Sequence, residues 1–153
     1  MATGDTKAVR SHLEKQNDGT AVVDFNGTTM MFALIKSGHI PDYAGGDIMY
    51  GSLTATEVTA GTAYAAGGLT LSAIVSLTVS GSFAIFKCAT ISIAQDAAGF
   101  ATARYGVLYS RAAAGTLAES PIVAFTDLGS DRANTAGPLL IYWTGNKVLK
   151  WQY

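Results

Sequence analysis

The sequence predicts a mainly β protein, an antiparallel β-sandwich of jelly-roll type with one short N-terminal helix. Three observations carry that prediction. Apolar and polar residues alternate with period two between Leu69 and Ala94, turn-forming Gly, Pro, Asn and Asp clusters recur roughly every eight to twelve residues, and no helical pattern alternates with the strands. The 153 residues fit one domain, 1–153, with an N-terminal arm or helix over 1–20 and the sandwich over 21–153. A chain of this length buries roughly 70% of its unfolded surface, so it needs neither metal nor disulfide to fold.

The elements follow in order. Lys7 to Gln16 is the one good helix candidate, with Asp5 or Thr6 as N-cap and Asn17-Asp18-Gly19 as its end. Its apolar stripe of Ala8, Val9, His12 and Leu13 is thin, which suits weak docking or contact with a neighbouring subunit. Ala21 to Asn26 and Thr28 to Lys36 read as the first two strands, joined by the hairpin signal Asn26-Gly27. Ser37 to Asp47 is a loop, Ile48 to Leu53 a short strand, and Thr59 to Gly68 a Gly- and Ala-rich corner.

Between Leu69 and Ala94 a strand pair turns near Gly81. Val75, Leu77, Val79, Phe83, Ile85, Ala89, Ile91 and Ile93 fall at odd positions, while Ser76, Thr78, Ser80, Ser82, Thr90 and Ser92 fall at even ones. A membrane helix would spread those hydroxyls around its whole circumference and tolerate Lys87 poorly, so period two speaks for a sheet with one buried face. Ala103 to Tyr109 is a central strand with Tyr105, Val107 and Tyr109 on one face and Arg104, Gly106 and Leu108 on the other. Ile122 to Asp127 is the next strand and Leu128 to Gly137 a polar loop. Leu139 to Trp143 and Lys147 to Tyr153 form a terminal hairpin across Thr144-Gly145-Asn146.

Composition narrows the function. Apolar residues make up 49% of the chain and charged ones 14%, so much of the surface consists of Ser, Thr, Gly and Ala. Such a surface is inexpensive to desolvate, because small side chains lose little entropy and no charge is stripped of water; it points to protein–protein contact. A net charge of −1 with ten scattered basic residues lacks the electrostatic footprint of a nucleic-acid binder. The start, Met1 to Lys7, lacks a basic-then-apolar leader layout, which predicts that the chain stays in the reducing compartment where it is made. Cys88, the single cysteine, sits in an apolar run and reads as a buried small hydrophobe.

The chemistry-bearing residues do not assemble into a catalytic motif. The two histidines, His12 and His39, lie on different elements without metal-ligand spacing. Asp42 and Asp47 are turn-forming acids before they are calcium ligands. Asn26-Gly27-Thr28 matches a glycosylation sequon but sits in a tight hairpin, and neither Gly45-Gly46 nor Gly67-Gly68 is followed by the Lys-Ser/Thr of a phosphate loop. Glu57, Asp127 and Asp131 read as capping or solvated carboxylates in preference to a glycosidase pair. No catalytic residue, metal ligand or cofactor is expected.

Arg104, mid-strand, has two readings: an ion pair with a neighbouring carboxylate such as Asp127, or a planar fork reaching a partner subunit. Trp143 reads as core, while Trp151 and Tyr153 at the chain end are interface candidates. With His12, Leu13, Tyr43 and Tyr50, these residues make up the candidate interface set.

Several segments in order carry a resemblance. They are Ala33-Leu-Ile-Lys36, Ile40-Pro-Asp42, Glu57-Val58 with Gly61-Thr-Ala-Tyr64-Ala-Ala-Gly67-Gly68, Ala103 to Tyr109, Val123 to Gly129, and Trp143-Thr-Gly-Asn-Lys-Val-Leu149. Together they resemble a family of small structural proteins of tailed bacteriophages. The chain departs from that pattern in a diluted first helix, in Lys36 at an acidic strand end, and in Asn146-Lys147 for a closing Asn-Gly. The resemblance implies a virion structural protein, most similar in kind and size to a head decoration (cement) protein or the base of a head fibre. Its partners would be the major capsid protein of the same virion and copies of itself, as a trimer, with no nucleic acid and no membrane. Its place would be the capsid surface after synthesis in the host cytoplasm. A neck or tail component, or a glycan-reading module using Tyr43 and Tyr50, are the rival readings.

Overall fold

The computed structural model describes residues 6–10, 23, 25, 30–44, 49–71, 76–80, 83–111 and 116–152. It is mainly β, with antiparallel sheets that do not close into a barrel. The strands are β1 (Thr6–Ala8), β2 (Met30–Lys36), β3 (Leu69–Thr70), β4 (Ser76–Ser80), β5 (Phe83–Lys87), β6 (Ile91–Ile93), β7 (Ala103–Ser110), β8 (Ile122–Arg132), β9 (Leu139–Ile141) and β10 (Lys147–Gln152). They form a five-stranded sheet in the order β1-β8-β7-β2-β3, a three-stranded sheet β10-β5-β4 and a two-stranded sheet β6-β9. No helix among the described residues is long and apolar enough to cross a membrane.

β2 explains the central sheet. Its run Met30 to Ile35 is continuously apolar and buried throughout, the pattern of a strand covered on both faces. Met30, Phe32 and Leu34 enter one core cluster, which draws on Phe86, Ile91, Ile93, Leu139, Ile141 and Leu149 from the other two sheets and on Trp143 from the turn after β9. Met31, Ala33 and Ile35 enter a second cluster with Tyr50, Leu53, Val107, Tyr109 and Phe125. From Tyr105 onward β7 alternates as expected, Tyr105, Val107 and Tyr109 facing the second cluster and Leu108 the first. The register shift before Tyr105 breaks the pattern: Ala103 enters the first cluster, and Arg104, expected opposite Tyr105, lies with Tyr105 and Asp127. Gly106 is required there: a Cβ at this position would lie 2.0 Å from Cζ of Phe32, whose ring crosses it.

Several expectations are corrected. Thr6–Ala8 is not the start of a helix but a strand, paired antiparallel with Ala124 to Thr126, so these residues belong to the main sheet and not to an arm. The remaining span of the expected helix beyond Arg10, with His12 and Leu13, lies outside the described residues. So does most of the expected Asn26-Gly27 hairpin, although Val23 and Phe25 are buried. The strand expected over Ile48 to Leu53 is not formed in its described part: Met49 makes a single bridge to Pro121, and Tyr50–Leu53 is a short 3-10 helix. The cause is close approach to a second 3-10 turn at Leu117–Glu119, where Tyr50 N–H donates to the Ser120 carbonyl at 2.8 Å and a Cβ on Gly51 would meet Ala118 Cα at 2.4 Å.

Between Leu69 and Ala94 the period-two run divides into β3, the β4–β5 hairpin and β6. The odd-position face does not persist, because Phe86 and Cys88 are as buried as Ile91 and Ile93. The chain leaves the ladder between β5 and β6, which resets the parity. β8 runs on to Arg132, past the expected end at Asp127. The terminal hairpin is also replaced, since β9 pairs with β6 and β10 with β5. A 3-10 turn at Thr144–Asn146, with Gly145 at φ 62°, redirects the chain between them. Trp143 is pinned by its indole N–H, which donates to Thr6 Oγ1 at 2.9 Å, and by edge-on packing against Phe32.

Candidate interaction surface

The segment from Glu57 to Gly68 is a lock inside the core. Glu57 is buried, and its Oε1 accepts from the Tyr64 hydroxyl at 2.7 Å and from Gly67 N–H at 2.9 Å. The Tyr64 hydroxyl in turn accepts Leu34 N–H at 2.8 Å, which ties the corner to β2. Tyr109 donates its hydroxyl to the Gly67 carbonyl, and Tyr50 stacks on Tyr109 with ring centroids 4.0 Å apart. Gly67 and Gly68 take φ of 86° and 80°, and a Cβ on Gly68 would strike the Phe32 carbonyl oxygen at 2.3 Å. Burial, reinforced by Glu57, raises the pKa of Tyr50 and of Tyr64 well above the ordinary tyrosine value and pushes that of Tyr109 up to about 12. The phenols stay neutral donors beside the carboxylate.

Tyr50 lies close enough to Glu57 to feel its charge, yet its buried Oη makes no hydrogen bond of ordinary geometry. Its side chain is 0% exposed, so the expectation that Tyr50 faces a partner or a saccharide is corrected. A ring stacked beneath a loop on the apolar sheet face cannot be presented outward.

A second clamp holds the loops beyond the lock. Asp96 accepts Thr62 N–H and Thr62 Oγ1–H, both at 2.8 Å, and Ala98 N–H at 3.0 Å. The Thr62 hydroxyl first, then these backbone groups, hold its carboxyl below the usual aspartate value. Asn134, fully buried, accepts Phe100 N–H at 3.0 Å and donates to the Ala94 carbonyl at 3.1 Å. Sequence reasoning missed both residues, whose only signal was a polar residue within a Gly-rich loop.

The outward-facing group of interest forms where β7 and β8 meet the loop after β2. Opposite the two-residue step from Ala103 to Tyr105, β8 advances from Asp127 to Arg132. The chain bulges through residues 128–131, with Gly129 at φ 78°. Arg104 closes the bulge: its Nη1 donates to the Gly129 carbonyl at 2.9 Å, its Nη2 to Asp127 Oδ2 at 3.2 Å, and its Nε lies 3.1 Å from Asp127 Oδ1 without pointing at it. Arg132 caps the Leu128 carbonyl from Nη2 at 3.1 Å. Of the two sequence readings of Arg104, the ion pair with Asp127 is the contact made within the chain, and its side chain stays 29% exposed.

Arg104 meets Asp127 and Tyr105, and Tyr43 lies near enough to those same two residues to feel their charge. Burial first, then Asp127 and Tyr105, raises the pKa of Tyr43, and the Arg104 guanidinium lies 5.6 Å from the Tyr105 ring centroid. Tyr43 and His39 both pack on Phe125, Arg10 N–H donates to the Tyr43 carbonyl at 2.9 Å, and Lys7 Nζ lies 5.9 Å from the Tyr43 ring centre. Asp42 holds the loop with an Asx turn onto Ala44 N–H at 2.8 Å. This anchored loop carries Ile40 at 83% exposure between half-buried His39 and buried Pro41. Ile40 was not singled out from the sequence, though an aliphatic side chain between His and Pro in a polar loop was the available signal.

The other candidates do not join this group. Trp151 stands opposite Ala84 in the β10–β5 ladder, while His12, Leu13 and Tyr153 lie outside the described residues. Among the described residues, no three His, Cys, Asp or Glu side chains converge to hold a metal ion. A cleft of about 180 Å³ between Leu69–Leu71 and Ala89–Ser92 is lined by aliphatic and hydroxyl side chains. Comparison with family models, curated proteins and solved structures finds no match for this chain.

Proposed function

We propose that the protein is a non-catalytic structural component of a tailed-phage virion, a head decoration protein that binds the outer capsid lattice and stabilises it. The single observation that carries the reading is the exposed Ile40 on a loop anchored by Tyr43 and His39 to the main sheet, with the part-exposed Arg104 at the β7–β8 end of that sheet. Tyr and Arg are the residues enriched at energetic hot spots, and an exposed aliphatic anchor on a fixed loop binds with little ordering cost. The lock from Glu57 to Gly68 adds support, because the segment that most carries the phage resemblance is consumed in rigidity and not in a reaction centre. We further read the three sheets as the layers of a jelly-roll-like β-sandwich, since one core cluster draws on all of them.

In this role the protein acts by binding free energy. About 800 Å² per partner suffices for specific attachment, and a trimer seated on the major capsid protein gains from high effective concentration. The test is to add purified protein to shells lacking it. Hundreds of copies per particle and a higher bursting temperature are expected, and Ile40→Asp, at a side chain 83% exposed, should abolish binding at unchanged melting temperature. Six or twelve copies would move the assignment to the neck or tail, and binding to cells but not shells would move it to receptor reading.

A further inference from the structure

We propose that β4 is a self-pairing edge: two copies of this chain join by antiparallel pairing of Ser76–Ser80 across a two-fold axis at Thr78, merging two three-stranded sheets into one of six strands. Among the described residues β4 pairs with β5 alone and forms one edge of its sheet. An open edge offers a row of unpaired backbone donors and acceptors, and proteins ordinarily blunt it with charge, proline, a bulge or brevity. The other edges of the two larger sheets carry such devices. β1 is three residues long with Lys7 at its centre, and β3 has two residues. β10 bears Lys147 and Lys150 and shifts register between Lys147 and Leu149. β4 has none of them: it has five residues, unbroken register with β5, and no charge, proline or glycine.

Its sequence is also self-complementary. Ser-Leu-Thr-Val-Ser reads the same in polarity from either end. An antiparallel pair centred on Thr78 sets Ser76 opposite Ser80, Leu77 opposite Val79, and Thr78 opposite its own copy. Polar positions meet polar ones and apolar meet apolar, whereas a slip by one residue sets every hydroxyl against an aliphatic position; among the slips the polarity pattern allows, the register centred on Thr78 is the one that pairs all five residues. A second copy is therefore the occupant that fits, through an isologous contact. The inference does not depend on the capsid role, and it leaves a three-fold contact elsewhere free to form, joining trimers in pairs.

The test uses the full chain. Light scattering should give the mass of an even number of copies. Thr78→Cys should cross-link to a covalent dimer under mild oxidation, because residues directly opposite in an antiparallel pair lie within disulfide reach, at about 4.5–5.5 Å between Cα atoms. Ser76→Cys alone should not cross-link, but mixed with Ser80→Cys it should. Cys88 is buried and stays out of the reaction. Thr78→Lys, which sets like charges against each other, should halve the mass without altering melting of the monomer. A monomer or bare trimer that gives no Thr78→Cys cross-link would overturn the proposal, as would cross-linking of Ser76→Cys with itself.

Discussion

Replacing Tyr64 with Phe removes one hydroxyl, which leaves the buried Leu34 N–H without an acceptor and Glu57 with Gly67 N–H in place of two donors. The oxygen donates to Glu57 at 2.7 Å and accepts Leu34 N–H at 2.8 Å, and the ring is 1% exposed. A hydrogen bond to a charged acceptor is worth about 1.5–3 kcal/mol, and an orphaned buried N–H costs about 1–3 kcal/mol. Because the two share one atom and water can partly replace it, a net loss of about 3 kcal/mol is expected, or about 6–12 °C in Tm for a chain of this length. Tyr50→Phe is the internal control. It removes a phenol from the same buried group, but from a hydroxyl that makes no hydrogen bond of ordinary geometry, while keeping the stack on Tyr109. Its stability should stay within about 0.5 kcal/mol of the parent or rise by about 1 kcal/mol. Urea unfolding followed by tryptophan fluorescence measures both. A Tyr64→Phe loss below about 1 kcal/mol, or a Tyr50→Phe loss larger than that of Tyr64→Phe, would refute the assignment of Tyr64 as the carrier of the lock.

Other perturbations separate conformational from steric demands. Gly129→Ala has open space for its Cβ and should cost only the positive-φ penalty of about 1–2 kcal/mol, whereas Gly68→Ala also meets the Phe32 carbonyl and should fail to give a cooperative thermal transition. Asp96→Asn should be less stable than the parent at neutral pH. Because the folded-state carboxyl titrates below the ordinary value of 3.8, its contribution is present above that pH and fades as pH falls through the lower folded value, so parent and variant melting temperatures should converge only in that acid range. Burial pushes the Cys88 thiol up to about 12, so a thiol reagent at pH 8 should label it only after denaturant is added; rapid labelling of the native protein would contradict its burial.

What the sequence revealed of the fold was set by local periodicity. The continuous apolar run at Met30 to Ile35 and the alternation from Tyr105 to Tyr109 are properties of single strands and appear as read, whereas the bulge opposite, through residues 128–131 of a neighbouring strand, displaces Ala103 and Arg104 from their expected faces. Strand partners are another matter, because pairing is settled by long-range closure. Leu139–Ile141 and Lys147–Gln152 are close in sequence and separated by a turn signal, yet each finds a better partner elsewhere once Trp143 is held by Thr6 and Phe32. Thr6–Ala8 has no strand pattern of its own and becomes one because the edge of β8 is open beside it. Tyr50 failed as an interface residue for a similar reason: aromatic rings in Gly-rich loops serve surfaces and cores alike, and only the stack on Tyr109 decides between them.

The same distinction separates the two surfaces of interest. The patch around Arg104 needed tertiary structure to be seen, since the bulge of residues 128–131 draws the guanidinium toward Asp127 and thereby beside Tyr105. β4 is legible from five residues once it is known to be an edge. The two also differ in what stabilises a contact. The patch offers side chains, whose charge and shape select a particular partner, while the edge offers backbone groups, which any extended strand of matching polarity can satisfy. A palindromic polarity pattern restores selectivity to that second kind of surface by favouring the chain's own copy over other strands. An assembly built from both would therefore separate its tasks, with the patch choosing the lattice and the edge linking neighbours already seated on it. Salt should accordingly weaken the first contact, where Arg104 and Asp127 lie part-exposed, and leave the uncharged second contact nearly unchanged.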